Sequence, residues 1–323
     1  MLSIALSGAS CSKKSANSPD EAKEARDLVN AVDEAEGTRS SSKTGGNTAG
    51  AGKTAGAGAV QPAESGPVST EPLPGVDLSK LDDKQKERFF RMIDRTLQSP
   101  CGKPHSLRKS VTSDQSCKRS MFAARYAAAL IEDGATDKDV QEFYEVRYKS
   151  SEVRSFKVEG APAHGPPDAP VQLVEFYDYG CPACKEFAPL LTETLANFDN
   201  QVVLFYKMFP LPAHPDSGPA AQAALAAARQ GKFTEMHNLL FARSHQHKKS
   251  DLLAHARSLG LDMAVFERDY AAAAARVQAD VAEGDAADIH GTPTLFVNGR
   301  RYEGPMHPRY LQMWIDEELA VNR

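Results

Sequence analysis

Cys181 and Cys184 stand three positions apart in "YDYGCPACKEFAP", residues 177–189, and supply two of the chain's five cysteines. Such a pair can be half of a zinc site, a structural crosslink or a reactive dithiol. Zinc needs a second pair of ligands. The local candidates are His245 and His247 of "SHQHKK", in a polar, basic segment. Cys101 and Cys117 would serve only if two parts of the chain packed together. A crosslink over so short a loop removes little unfolded-state entropy. The residue types and their spacing therefore favour a reactive dithiol, with no metal.

The flanking elements would position that dithiol. "VQLVEFYDYG" carries an apolar run from Val171 to Tyr177, bounded by Pro170 and Gly180, and is predicted to be a buried strand feeding a turn. "CPACKEFAPLLTETLANF" follows as a helix, with Pro182 suited to its first turn. This order places Cys181 at a helix N-terminus, where free N–H groups and the helix dipole stabilise a thiolate. Cys184 falls one turn in and should be more buried. "QVVLFYKMF" is predicted to be a second central strand, with helices over about 219–229, 232–244, 251–258 and 263–287. "TLFVNGRRYEG" is a hairpin around Asn298-Gly299, a pair that favours a type I′ turn. The last helix aligns Leu311, Ile315 and Leu319 on one face, with Trp314 beside them. The pattern is that of an α/β domain with an inserted helical subdomain.

Several motifs, in order, resemble the DsbA-like branch of the thioredoxin superfamily over about residues 160–323. "GPPDAPVQLVEFYDYGCPACKEFAPLL" resembles that family's active-site strand and helix. Pro189 matches its helix-kinking proline, and Glu175 its buried acid. "FPLPAHPDSGPAAQAALAAARQGKFTEMHNLLF" resembles the start of the helical insertion, and "HGTPTLFVNGRRYEG" the cis-proline loop and final hairpin. His290 departs from the family, which usually has an aliphatic residue there. The resemblance implies a thioredoxin fold and disulfide exchange with protein substrates, without a cofactor. It implies that Cys181 attacks, that Cys184 resolves the mixed disulfide, and that Glu175 accepts or relays a proton for Cys184. A buried carboxylate satisfied by hydrogen bonds is the other reading of Glu175. Pro293, expected cis after Thr292, would lie against Cys181 and present backbone to the substrate. Pro182-Ala183 lacks the histidine found between the cysteines of strong oxidants, so the expected couple is less oxidising than DsbA's, about −120 mV. Thr292 before the cis-proline is familiar from reducing and isomerising relatives. Both features lean toward reduction or isomerisation. The reading from another class is a non-enzymatic, redox-sensitive adaptor. His214, His237 and His255 read as structural or surface residues on helices.

Residues 77–150 are predicted to be a small helical module, set before a domain over 151–323. "LDDKQKERFFRMIDRTLQ" spaces Phe89, Phe90, Ile93 and Leu97 as a helix does. "CKRSMFAARYAAALIEDG" repeats the pattern and stops at Gly134. "TDKDVQEFYEVRY" opens with Thr136 and Asp139 in capping-box spacing, and Val140, Phe143 and Val146 form its expected buried face. Three short helices make a marginal core by themselves. A disulfide between Cys101 and Cys117 would close a loop of about 15 residues, worth about 3 kcal/mol in the chain-entropy model; a second redox pair is the alternative. The segment resembles the helical domain of CcmH-type cytochrome c maturation proteins in its cysteine, "HSL", "DGATDKDV" and closing "RY". That likeness suggests thiol reduction for haem attachment as a narrower activity.

Residues 12–76 read as a flexible low-complexity tether. The run from Gly37 to Pro72 is Gly-, Ala-, Ser-, Thr- and Pro-rich with no aromatic residue, so burial cannot offset its ordering entropy. "SPDEAKEARDLVNAVDEAE" is one short helical candidate within it. "AGAGKT" misses a phosphate-binding loop, because Asn47 stands where the first glycine belongs. "MLSIALSGASCSKKS", with residues 1–11 as its signal remnant, resembles the end of a bacterial lipoprotein signal. That resemblance would make Cys11 a lipidated N-terminus; an incidental cysteine is the alternative. An envelope location would let disulfides persist, and a membrane redox partner would fit there. The net charge of −5 argues against nucleic acid as a general partner. Lys103, Arg108, Lys109, Lys118 and Arg119 lean basic, as a solvated loop or, failing that, a docking surface.

Overall fold

Apolar spacing at Phe89, Phe90, Met92 and Ile93 gives the first helix, α1 (Asp83–Arg95), one buried face, and Asp82 and Gln85 close a capping box at its start. In the computed structural model, which describes residues 67–149 and 152–322, three more helices follow. They are α2 (Leu107–Thr112), α3 (Ser120–Glu132) and α4 (Asp137–Lys149). The short α2, capped by the Ser106 side chain, was not foreseen; the polar run around it hides its single buried apolar side chain, Leu107. Cys101 and Cys117 are joined by a disulfide that closes the α2 loop. The Cys11 lipidation expectation, the helical candidate and most of the tether lie outside the described residues.

The rotation of α4 differs from expectation. Thr136 and Asp139 form the capping box, but Phe143 and Val146 are only half-buried, and the buried face is Val140, Tyr144 and Arg147. An arginine inverts the apolar pattern because its guanidinium stacks on Tyr126 and Trp314, 4.5 and 4.7 Å from the ring centroids. It also donates to Glu317 of the final helix at 2.5 Å. The basic stretch is likewise spent largely within the fold: Lys103 pairs with Asp114, Arg108 with Asp94, and Arg119 with Glu317 and Glu318.

The following elements are β1 (Ala163–His164), β2 (Val171–Tyr177), α5 (Pro182–Leu195), β3 (Val202–Met208), α6 (Ser217–Ala228), α7 (Phe233–Ala242), α8 (Lys249–Ser258), α9 (Met263–Ala286), β4 (Thr294–Val297), β5 (Arg300–Arg301) and α10 (Pro308–Val321). The sheet order is β1-β3-β2-β4-β5. β2 and β3 are parallel, and the other pairs antiparallel. β2 and β3 are buried along their length because helices cover both faces, which is why they read as apolar runs rather than alternations. α6–α9 form the insertion between β3 and β4. Asn298 and Gly299 both take positive φ, as a type I′ hairpin requires. β3 also carries a fully buried lysine: Lys207 meets Asp280 at 3.0 Å and Glu283 at 2.6 Å, both on α9, and donates to the Lys157 carbonyl. Charged partners on every side are what make that burial tolerable. Among the described residues, no helix is long and apolar enough to cross a membrane.

Candidate active site

β2 ends at Tyr177, and the chain turns through Asp178, Tyr179 and Gly180 before α5 begins. Cys181 is the N-cap of α5 and Pro182 occupies its first turn. Pro189 lies within the same helix. Gly180 is required by close approach: a Cβ there would sit 2.6 Å from Ser217 Oγ and 2.7 Å from His214 Cβ. Cys181 is 7% exposed and Cys184 fully enclosed, so one sulfur meets solvent and the other lies behind it. Both are free thiols.

Opposite Cys181 lies the Thr292–Pro293 peptide bond, which is cis as expected. The Cys181 thiol donates to the Thr292 carbonyl at 3.2 Å. The Thr292 hydroxyl is buried and has no hydrogen-bond partner. The same side chain lowers the pKa of both cysteines, the behaviour of a donor poised for a thiolate.

The two thiols are pushed apart electrostatically. Cys181 is pulled down to about 6, first by its interaction with the Cys184 thiol, then by Thr292 and the Cys184 and Ala183 N–H groups, against the effect of burial. These N–H groups are the open donors of the α5 N-terminus. Cys184 is held well above the ordinary thiol range by burial, by Cys181 and by the charge of Glu175.

Glu175 pairs in register with Tyr206 of β3 and Leu295 of β4, which puts it in the middle of the sheet. It is 2% exposed, and burial raises its carboxyl to about 8. Burial is the cause of that shift. A pH dependence follows. Glu175 ionises near its ordinary 4.5 in the unfolded chain but keeps its proton to about 8 when folded. Its share of stability is therefore complete below 4.5 and lost as pH rises through about 8. Glu175→Gln is expected to remove that decline and to leave the protein more stable than wild type at pH 8 and above. Urea midpoints measured from pH 5 to 9 test this; parallel profiles for the two proteins would contradict it.

Cys181 thus faces the cis Thr292–Pro293 bond, Cys184 lies one turn in on α5, and Glu175 acts on Cys184 from the middle of the sheet. The disulfide of Cys101 and Cys117 lies in the helical segment. His290 is exposed and pairs with Asp288 at 3.0 Å. His247, offered with His245 as half of a zinc site, bonds the Leu240 carbonyl at 3.0 Å. Two features were not legible beforehand. Tyr177 donates to Tyr179, whose hydroxyl meets His237 Nδ1 at 3.1 Å, and burial lowers His237 to about 4. Asp178, buried three residues before Cys181, accepts from the Gly180 and Leu211 N–H groups and meets His214 Nδ1 at 2.6 Å. His214 lies in the loop before α6, not on a helix as expected. The signal was present in "DYGC" and in the proline-bracketed "PAHPDS", but it names no partner until the fold joins them.

A family model described as thioredoxin matches residues 157–317. Residues 157–317 are a thioredoxin-superfamily domain. Among relatives, the Na(+)/H(+) antiporter NhaA 1 of Mycobacterium sp. (strain KMS) is 40% identical over 146 residues, 44% of this chain and 24% of that protein. The match thus spans about a quarter of the length of the curated relatives. Among solved structures, a thioredoxin-like oxidoreductase from Silicibacter pomeroyi DSS-3 is 32% identical, covering 49% of this chain and 91% of that one, with a TM-score of 0.45. BdbD from Bacillus subtilis in its oxidised form is 24% identical, covering 50% and 95%, with a TM-score of 0.44.

Proposed function

We propose that this DsbA-like protein is a thiol–disulfide oxidoreductase acting on protein substrates through Cys181 and Cys184. The observation that carries the reading is the split between the two thiols. One is ionised near neutrality and faces the cis Thr292–Pro293 bond; the other is buried and protonated behind it. In the reducing direction, the Cys181 thiolate attacks one sulfur of a substrate disulfide. The substrate S–S bond breaks, and the leaving thiolate takes a proton from solvent. Cys184 loses its proton to Glu175 in its ionised form and attacks the Cys181 sulfur. The mixed disulfide breaks, and the second substrate sulfur leaves as a thiolate that takes a proton from solvent. Two electrons have passed to the substrate, and the protein holds a Cys181–Cys184 disulfide. Glu175, at about 8, suits that proton transfer near neutral pH. Pro293 places the Thr292 backbone beside Cys181, where an extended substrate segment can pair with it.

The direction favoured is reduction or isomerisation, because Pro182-Ala183 brings no charge to the helix N-terminus. The location proposed is the bacterial cell envelope, with Cys11 as a lipid anchor, residues 12–76 as a tether, and a membrane protein returning electrons to the disulfide. The occurrence of a similar segment in proteins named as Na(+)/H(+) antiporters supports a setting at a membrane.

Replacing Cys184 with alanine tests the activity. The variant is expected to accumulate covalent adducts through Cys181 that reducing agent releases. A variant that traps none while its partner stays bound would instead mark a redox-sensitive adaptor.

A further inference from the structure

Asp178 is a buried carboxylate that the exchange mechanism does not use. Its side chain is fully enclosed, and it lies in the turn that feeds α5. Oδ1 accepts from the Gly180 N–H at 2.7 Å, and its own carbonyl accepts from the Cys181 N–H at 3.1 Å. Oδ2 accepts from the Leu211 N–H at 2.9 Å and meets His214 Nδ1 at 2.6 Å. Ser217 Oγ accepts the Gly180 N–H as well, at 2.9 Å. The carboxylate therefore ties the turn before Cys181 to the loop that opens the helical insertion. His214, with a side chain about 28% exposed, is the titratable group in direct contact with it. Three other titratable groups bear on the pair. His247, in the α7–α8 connection, feels both Asp178 and Asp216, and Glu175 lies on β2, three residues before Asp178.

A negative charge just before a helix N-terminus opposes the thiolate that the helix stabilises. The reduced form of the dithiol is favoured when its thiolate is stabilised, so anything that opposes the thiolate makes the couple more reducing. A protonated His214 offsets Asp178 and works the other way. We propose that Asp178 and His214 are a positioning pair that sets the redox poise of Cys181 and Cys184: the carboxylate makes the couple more reducing, and His214, when protonated, restrains it. The pair occupies the electrostatic role left open by Pro182-Ala183, and acts from outside the C-x-x-C motif. This inference rests on the thiol-exchange reading.

The two charges have opposite signs, so two isosteric replacements separate electrostatics from loop packing. Asp178→Asn keeps an acceptor and removes the negative charge. His214→Asn keeps an N–H at the Nδ1 position and removes the ring that carries positive charge when protonated. Each variant is equilibrated at pH 7 with glutathione, where reduced protein and oxidised glutathione give protein disulfide and two reduced glutathiones. The trapped thiols are then counted by alkylation. Asp178→Asn is expected to shift the equilibrium constant about three- to tenfold toward the dithiol, and His214→Asn by a similar factor toward the disulfide. Shifts in the same direction, or no shift in either, would overturn the proposal, since a merely structural clamp would loosen alike in both. If Asp178→Asn does not fold, the more exposed His214→Asn decides alone, and must move toward the disulfide. If the wild type fails to exchange with glutathione, it is the proposed function that fails. The pH dependence of Cys181 alkylation still reads the pair, with a lower midpoint expected for Asp178→Asn and a higher one for His214→Asn.

Discussion

Within the dithiol, alkylation of the reduced protein is expected to modify Cys181 and not Cys184, with a rate that rises through a midpoint near pH 6. Cys181→Ser should abolish both this reaction and disulfide exchange. Only the thiolate reacts, and a free cysteine at about 8.5 is only a few per cent ionised at neutral pH. A thiol at about 6 is mostly ionised there. Lowering the pKa also weakens each thiolate as a nucleophile, so the net acceleration at pH 7 should be only about two- to threefold, far smaller than the change in ionised fraction. Cys184 should stay unmodified while the protein is folded, because it is enclosed and its pKa is raised. Stability of the reduced form should follow the same group. Its folded pKa lies below the unfolded one, so its contribution is complete above the unfolded pKa and is lost as pH falls through about 6. The oxidised form, lacking the thiolate, should not show that loss. Mass-resolved alkylation from pH 4 to 9 checks the first part, and paired melts of the two redox forms check the second. Modification of Cys184 in the folded protein, or a midpoint in the ordinary thiol range, would remove the basis for the proposed function.

The parts of this site legible in the sequence were those whose chemistry is local. Pro182 after Cys181 and the apolar run before it define a strand, a turn and a helix start within a dozen residues. Asn298-Gly299 defines a hairpin in two. Thr292 and Pro293, over a hundred residues away, entered through resemblance, and no spacing rule links them to Cys181. The Asp178–His214 contact could not be read at all. A buried carboxylate and an exposed one look alike in sequence, and which histidine serves it depends on how the insertion folds back. Arg147 and Lys207 show the same limit from the other side. Both sit at positions where a periodic pattern asks for an apolar residue or a solvated one, and both are buried because acids on distant helices meet them. Patterns of hydropathy predict which faces are buried; they do not predict charges that are buried in pairs.

Arg147→Ala is expected to be among the most damaging substitutions outside the dithiol, at about 3–5 kcal/mol of stability. The helical segment and α10 share a buried ionic cluster in which every carboxylate oxygen is matched. Glu317 Oε1 accepts from Arg119, and Oε2 accepts from Arg147 and the Tyr148 hydroxyl. Glu318 Oε1 accepts from Arg119, and Oε2 from Asn298 of the hairpin. The Arg147 Nε and Nη1 groups have no hydrogen-bond partner. They lie among the faces of Tyr126, Tyr148 and Trp314, and cation–π attraction offsets part of their desolvation. Truncation at alanine leaves Glu317 buried with one charge partner fewer and opens a void under three aromatic rings, two penalties that act together. Glu317→Ala should cost a similar amount, because it strands Arg147. The double variant should lose less than the sum, by a coupling of about 1–3 kcal/mol. Denaturant midpoints for the four proteins of this cycle measure that coupling. Exchange by the folded fraction of Arg147→Ala should match wild type, since none of these residues touches Cys181 or Thr292. Additive losses, or a loss below about 1 kcal/mol for the single variant, would mean that the helical segment holds to α10 through its apolar contacts around Tyr310 rather than through the buried charges.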